Sequence, residues 1–77
     1  MKITITFELK ATGKKYDVQV SGKQKIQDTL QVLGENIKDF SERGKIEVLR
    51  DKDTGRKILV GHTYEEENVY SGRELVV

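Results

Sequence analysis

The sequence predicts an α+β fold, a mixed sheet of four to five strands packed on one helix. Two hydrophobic rhythms carry that reading. From residue 2 to residue 10, apolar Ile3, Ile5, Phe7 and Leu9 alternate with Lys2, Thr4, Thr6, Glu8 and Lys10, the period of a half-buried strand. Further on, Ile26, Leu30, Leu33 and Ile37 recur at helical spacing and form one apolar stripe. The chain has 77 residues, the size of one domain spanning 1–77, and no cysteine. Neither a disulfide nor a thiolate metal site staples it, so its core depends on these rhythms being strict.

The elements follow in order. Ala11-Thr12-Gly13-Lys14 supplies a turn after the first strand, with Gly13 suited to positive φ. Alternation resumes at Tyr16, Val18 and Val20, completing a hairpin. Ser21 and Gln24 then match a capping box, so the helix is expected to start there. Gly34 is either its C-cap or a weak interior point, and the helix ends there or runs to about Phe40. Ile46 and Val48 mark a third strand and Asp51-Lys52-Asp53-Thr54-Gly55 a polar turn. Ile58 and Val60 mark a short fourth strand. Thr63 with Glu66 signals a single helical turn, Ser71-Gly72 another turn, and Leu75 and Val77 a last strand.

The order ββαββ, helical turn, β is the β-grasp arrangement. The last strand is then expected to pair parallel to the first, with the helix as crossover. A ferredoxin-like fold needs a second full helix, and residues 61–71 are too short and interrupted to supply one.

Composition narrows the function classes. Net charge is +1, which disfavours a strongly basic nucleic-acid binder and an acidic disordered tail. Residues 1–27 nevertheless carry six lysines against Glu8 and Asp17, a mild charge dipole. No apolar run approaches a membrane span and no apolar signal core follows Met1. A cytoplasmic address without direct membrane insertion is expected.

The chemistry-bearing residues point away from catalysis. His62 is the only histidine, and no local acid or nucleophile partners it as general acid–base chemistry requires. Asp51-x-Asp53-x-Gly55 lacks an oxygen ligand at the fifth position of a calcium loop and has His62 at the twelfth. Glu65-Glu66-Glu67 reads first as carboxylates favouring a helix start, second as a docking surface for a basic partner. Lys10, Lys14, Lys15, Lys23 and Lys25 read first as a solvated surface, second as one cluster that marks an anion or an acidic partner. The interleaved aromatics of single-strand nucleic-acid binders are missing apart from Tyr16. No catalytic residue, cofactor or metal site is expected, and no nucleic acid.

The chain resembles the ubiquitin-like superfamily. The resemblance lies in the hairpin with its Thr12-Gly13-Lys14 turn, the Ile26/Leu30/Leu33 stripe, and the tail from Tyr64 to Val77. In that tail, Asn68-Val69 and then Ser71-Gly72-Arg73-Glu74-Leu75 are similar to the superfamily's closing turn and strand. Within it the chain looks most like the bacterial YukD-like group, small cytosolic accessories of the type VII (ESX-like) secretion machinery of Gram-positive bacteria. That resemblance implies a non-enzymatic protein–protein interaction module, its partner being a protein such as a membrane secretion component. Modifiers and sulfur carriers of the superfamily end in Gly-Gly, whereas this sequence reads Arg73-Glu74-Leu75-Val76-Val77. The alternative, a modifier or sulfur-carrier relative whose Gly-Gly tail is missing or truncated, needs a longer native chain.

Ubiquitin-like domains bind partners through an apolar patch on the outer sheet face. If Ile46 and Val48, Ile58, and Leu75 and Val77 face the core, then Leu49, Leu59 and Val76 face outward. These three are the expected partner-binding residues, and a contiguous patch of them would mark an interface.

Overall fold

The computed structural model describes residues 2–42 and 44–77. The opening alternation forms β1 (Lys2–Glu8) and β2 (Lys15–Ser21), an antiparallel hairpin with Ile3 opposite Val20, Ile5 opposite Val18 and Phe7 opposite Tyr16. Gly13 takes φ +75° in its turn, a conformation in which a Cβ is strained.

The stripe forms α1 (Ile26–Asn36), which buries Ile26, Leu30 and Leu33. Gly34 lies inside this helix. Ile37, in extended conformation at φ −125° and ψ 116°, ends it and starts a single further turn, α2 (Lys38–Ser41). Phe40 of that turn is buried and meets the edge of the Tyr16 ring, centroids 5.4 Å apart. It thereby seals the end of the core where the hairpin turns.

The start of α1 corrects the expected capping box. Ser21 still belongs to β2, and its hydroxyl accepts from the Lys23 amide in a turn. Lys25 is the N-cap and no side chain caps the helix. A helix leaves its first amides without internal partners. Here distant carbonyls take two of them: Ile26 N–H donates to His62 O at 3.0 Å and Gln27 N–H to Val60 O at 2.9 Å.

The remaining strands are β3 (Val48–Asp51), β4 (Lys57–Leu59) and β5 (Glu74–Val76), and the five-stranded sheet runs β2-β1-β5-β3-β4. β5 is parallel to β1, with Phe7 opposite Leu75, and antiparallel to β3. The helix is thus the crossover that parallel pairing demands. Ile5, Phe7, Ile26, Leu49, Ile58, Tyr64 and Leu75 form the centre of the core between the sheet and α1.

One facing expectation is overturned. Leu49 is a core residue, 1% exposed, and Val48 faces outward, 37% exposed. Ile46 is half-buried but precedes the strand, so the two-residue period does not connect its direction to that of Val48. Within β3, register sets the faces: Leu49 lies opposite Ile58 and both point inward.

Candidate functional site

The outer face of the sheet brings together two of the three expected residues and replaces the third. Leu59 (42% exposed) and Val76 (half-buried) face outward. Val48 stands where Leu49 was expected, directly opposite Leu59. Val76 lies opposite Arg50, one step along β3 on the same face. Counting outward from the Asp51–Gly55 turn was the signal available in sequence for this register. It pairs Arg50 with Lys57, Leu49 with Ile58 and Val48 with Leu59.

A groove of about 730 Å³ runs over this face, lined among others by Lys10, Val48, Arg50, Lys52 and Val76. Its charges are partly paired. Lys52 Nζ reaches Glu8 Oε1 at 2.8 Å and Glu74 Oε2 at 3.5 Å, and Lys15 Nζ also reaches Glu74 at 3.5 Å. The hydrogen bond from Lys52 holds the Glu8 carboxyl below the usual carboxylate range. Glu8 in turn holds the Lys52 ammonium above the usual lysine range. Asp51, the polar residue on the inward face of β3, is 1% exposed. One of its oxygens accepts the Asp53 and Thr54 amides and so closes the β3–β4 turn, and the other meets Arg73 Nη2 at 2.9 Å.

His62 has a carboxylate partner that local sequence did not show. Its Nδ1 is 2.6 Å from Glu67 Oε2. Glu67, nearly fully buried, also meets Arg56 Nη1 at 3.3 Å through its other oxygen, and Arg56 Nη2 donates to the Glu67 backbone carbonyl. The acidic run thus divides three ways. Glu67 bridges Arg56 and His62. Glu66 accepts the Thr63 amide at 2.8 Å while Thr63 Oγ1 accepts the Glu66 amide at 3.1 Å, a complete reciprocal box that keeps the Glu66 carboxyl below its usual range. Glu65 packs over Gly22, where an added Cβ would lie 3.2 Å from its side chain.

A second groove, about 770 Å³, separates α1 from the end of β4 and is lined by Gln27, Gln31, Phe40, Ile46 and His62 among others. It brings no nucleophile within hydrogen-bond reach of His62 in the described contacts. Among the described residues no three His, Cys, Asp or Glu side chains are grouped to hold a metal. No helix among them is long and apolar enough to cross a membrane.

The five lysines do not cluster. Lys14 pairs with Asp39 at 3.2 Å and Lys15 with Glu74, both at the turn end of the hairpin. Lys23 and Lys25 lie beyond the other end of β2, whose seven residues span roughly 20 Å.

The chain matches no protein-family model and no curated protein. Solved structures do match. The ubiquitin-like domain of Plasmodium falciparum Dsk2 aligns with TM-score 0.65 at 19% identity, covering 99% of this chain and 97% of that one. The C-terminal ubiquitin-like domain of mouse tubulin-specific chaperone e aligns with TM-score 0.70 at 16% identity, covering 100% and 84%. A designed protein based on ubiquitin aligns with TM-score 0.69 at 20% identity, covering 97% and 84%. With element order, parallel β1–β5 pairing and these alignments in agreement, the chain has the ubiquitin-like β-grasp fold.

Proposed function

We propose that residues 1–77 act as one non-enzymatic ubiquitin-like interaction domain that docks a protein partner on the outer face of its sheet. The carrying observation is the apolar group Val48, Leu59 and Val76. Val48 and Leu59 are directly paired and more than a third exposed, and the helix covers the opposite face. Isolated apolar surface residues are ordinary, whereas adjacent ones flanked by cations resemble the centre and rim of an interface. The proposed setting is the bacterial cytoplasm, as a YukD-like accessory of a type VII secretion system whose partner is a membrane component of that machinery. The small ubiquitin-like fold, which that group shares, supports that setting.

The experiment is a cross-linked capture from the native host with wild-type chain and a Leu59→Asp/Val76→Asp variant, partners identified by mass spectrometry. Expected is a secretion-system membrane component captured by the wild type and lost by the variant, with the thermal midpoint little changed. Capture that survives the double substitution overturns the docking face. A partner unrelated to secretion, still lost by the variant, overturns the setting and leaves the face.

A further inference from the structure

The ladder between β3 and β4 sets two cations against each other. Val60 N–H donates to Glu47 O at 3.3 Å and Asp51 N–H to Arg56 O at 2.9 Å. Antiparallel pairs alternate, so Glu47/Val60, Leu49/Ile58 and Asp51/Arg56 are the hydrogen-bonded positions. Val48/Leu59 and Arg50/Lys57 are the intervening pairs, whose Cα atoms approach to about 4.5 Å and whose side chains lie closest. Like charges directly opposite each other destabilise a sheet.

Among the described residues, no carboxylate pairs with either cation. Glu8 and Glu74 are engaged by Lys52 and Lys15, Asp51 by Arg73, and Glu47 by Lys45 at 3.8 Å. The Arg50 guanidinium donates only to the neutral Gly55 carbonyl, at 3.0 Å. Neither Arg50 nor Lys57 makes an ion pair among the described residues. On β3 and β4 the opposed cations directly adjoin the exposed Val48/Leu59 pair, and Arg50 faces Val76 across the β5 side.

We propose that Arg50 and Lys57 read a carboxylate of the docked partner, so the segment that occupies this face carries an Asp or Glu beside the apolar side chain that lands on Val48, Leu59 and Val76. This rests on the docking reading above. A guanidinium and an ammonium on neighbouring strands bracket one carboxylate, and the arginine fork matches its two oxygens. The adjoining apolar surface excludes water when covered and strengthens the contact. Among the described residues, Arg50, Lys57 and the unpaired Lys10 of the same groove are too few to track a polyanion, whose binding draws on many phosphate contacts. The occupant is therefore an acidic protein segment.

Two measurements test this on the 77-residue chain. In the first, Lys57→Glu turns repulsion into attraction. The thermal midpoint should rise by about 2–5 °C at low salt, and the gain should shrink as salt is added. An unchanged or lowered midpoint overturns the opposed-cation premise. In the second, a synthetic peptide alternating Glu and Leu, and its Gln-for-Glu counterpart, are titrated into ¹⁵N-labelled chain. The Glu peptide should shift the amides of Val48, Arg50, Lys57, Leu59 and Val76. It should bind at least about tenfold more tightly than the Gln peptide, and that preference should vanish in Arg50→Gln/Lys57→Gln. Equal binding of both peptides at these residues overturns the carboxylate assignment and leaves the docking face standing. Shifts from neither peptide overturn both. Duplex DNA shifting Arg50 and Lys57 more strongly than the Glu peptide overturns the occupant.

Discussion

At the scale of single residues, Val48 and Leu49 are neighbours of similar chemistry with opposite roles. Leu49→Ala should cost about 2–5 kcal/mol, the range for truncating a packed aliphatic side chain. Val48→Ala should stay within about 0.5 kcal/mol, as surface changes do. Urea denaturation of both variants checks the contrast, and equal losses would contradict the facing described. Sequence alone did not separate the two because Asp51 hides the pattern. It shares the inward face with Leu49, and a carboxylate there looks outward until its partner is known. That partner, Arg73, is 22 positions away and closes the pairing only after β5 has docked on β3. Val76 and Leu59 were legible because each sits beside a fully buried neighbour, Leu75 and Ile58, on a short strand with regular alternation.

Among elements, the hairpin and α1 were legible because each carries its own period. The entry to α1 was not, because its hydrogen bonds come from residues 60–65. His62 and Val60 carbonyls take the first amides, Gly22 O accepts from Glu65 N–H, and Gln24 O accepts from Tyr64 N–H. The local Ser21–Gln24 signal gave way to these long-range partners, while the Thr63–Glu66 box, with no such competitor, formed. The segment that caps the helix is itself held by Glu67, through Arg56 and His62. Glu67→Ala should therefore loosen the helix entry more than the hairpin. Amide exchange at Ile26 and Gln27 should accelerate by about tenfold or more, with the β1 amides changed only by the smaller global loss. Parallel acceleration at both places would show that Glu67 contributes only to overall stability.

For the molecule as a whole, the same contacts set how stability follows pH, and the two limbs have different origins. Glu8 and Glu66 have folded pKa values below the ordinary carboxylate value, from the Lys52 hydrogen bond and the Thr63 amide respectively. Their contribution is present above about pH 4.5, the unfolded range, and is lost as pH falls through the depressed folded values. The alkaline limb comes from groups shifted upward. Lys52 is held protonated by Glu8, and burial pushes the Tyr64 phenol up to about 12 despite its 2.7 Å hydrogen bond to Thr29 Oγ1. A phenol harder to ionise when folded contributes stability that is complete below its unfolded pKa near 10 and is lost as pH rises toward 12. Tyr64→Phe removes both the hydrogen bond and the ionisation. At pH 7 the variant should be less stable by about 1 kcal/mol, the usual net value of such a bond. Between pH 9 and 12 the wild type should lose about 2 kcal/mol more than the variant, so the gap closes or inverts. Chemical denaturation across that range measures it, and a gap that stays constant would mean that burial of Tyr64 does not set the alkaline limb.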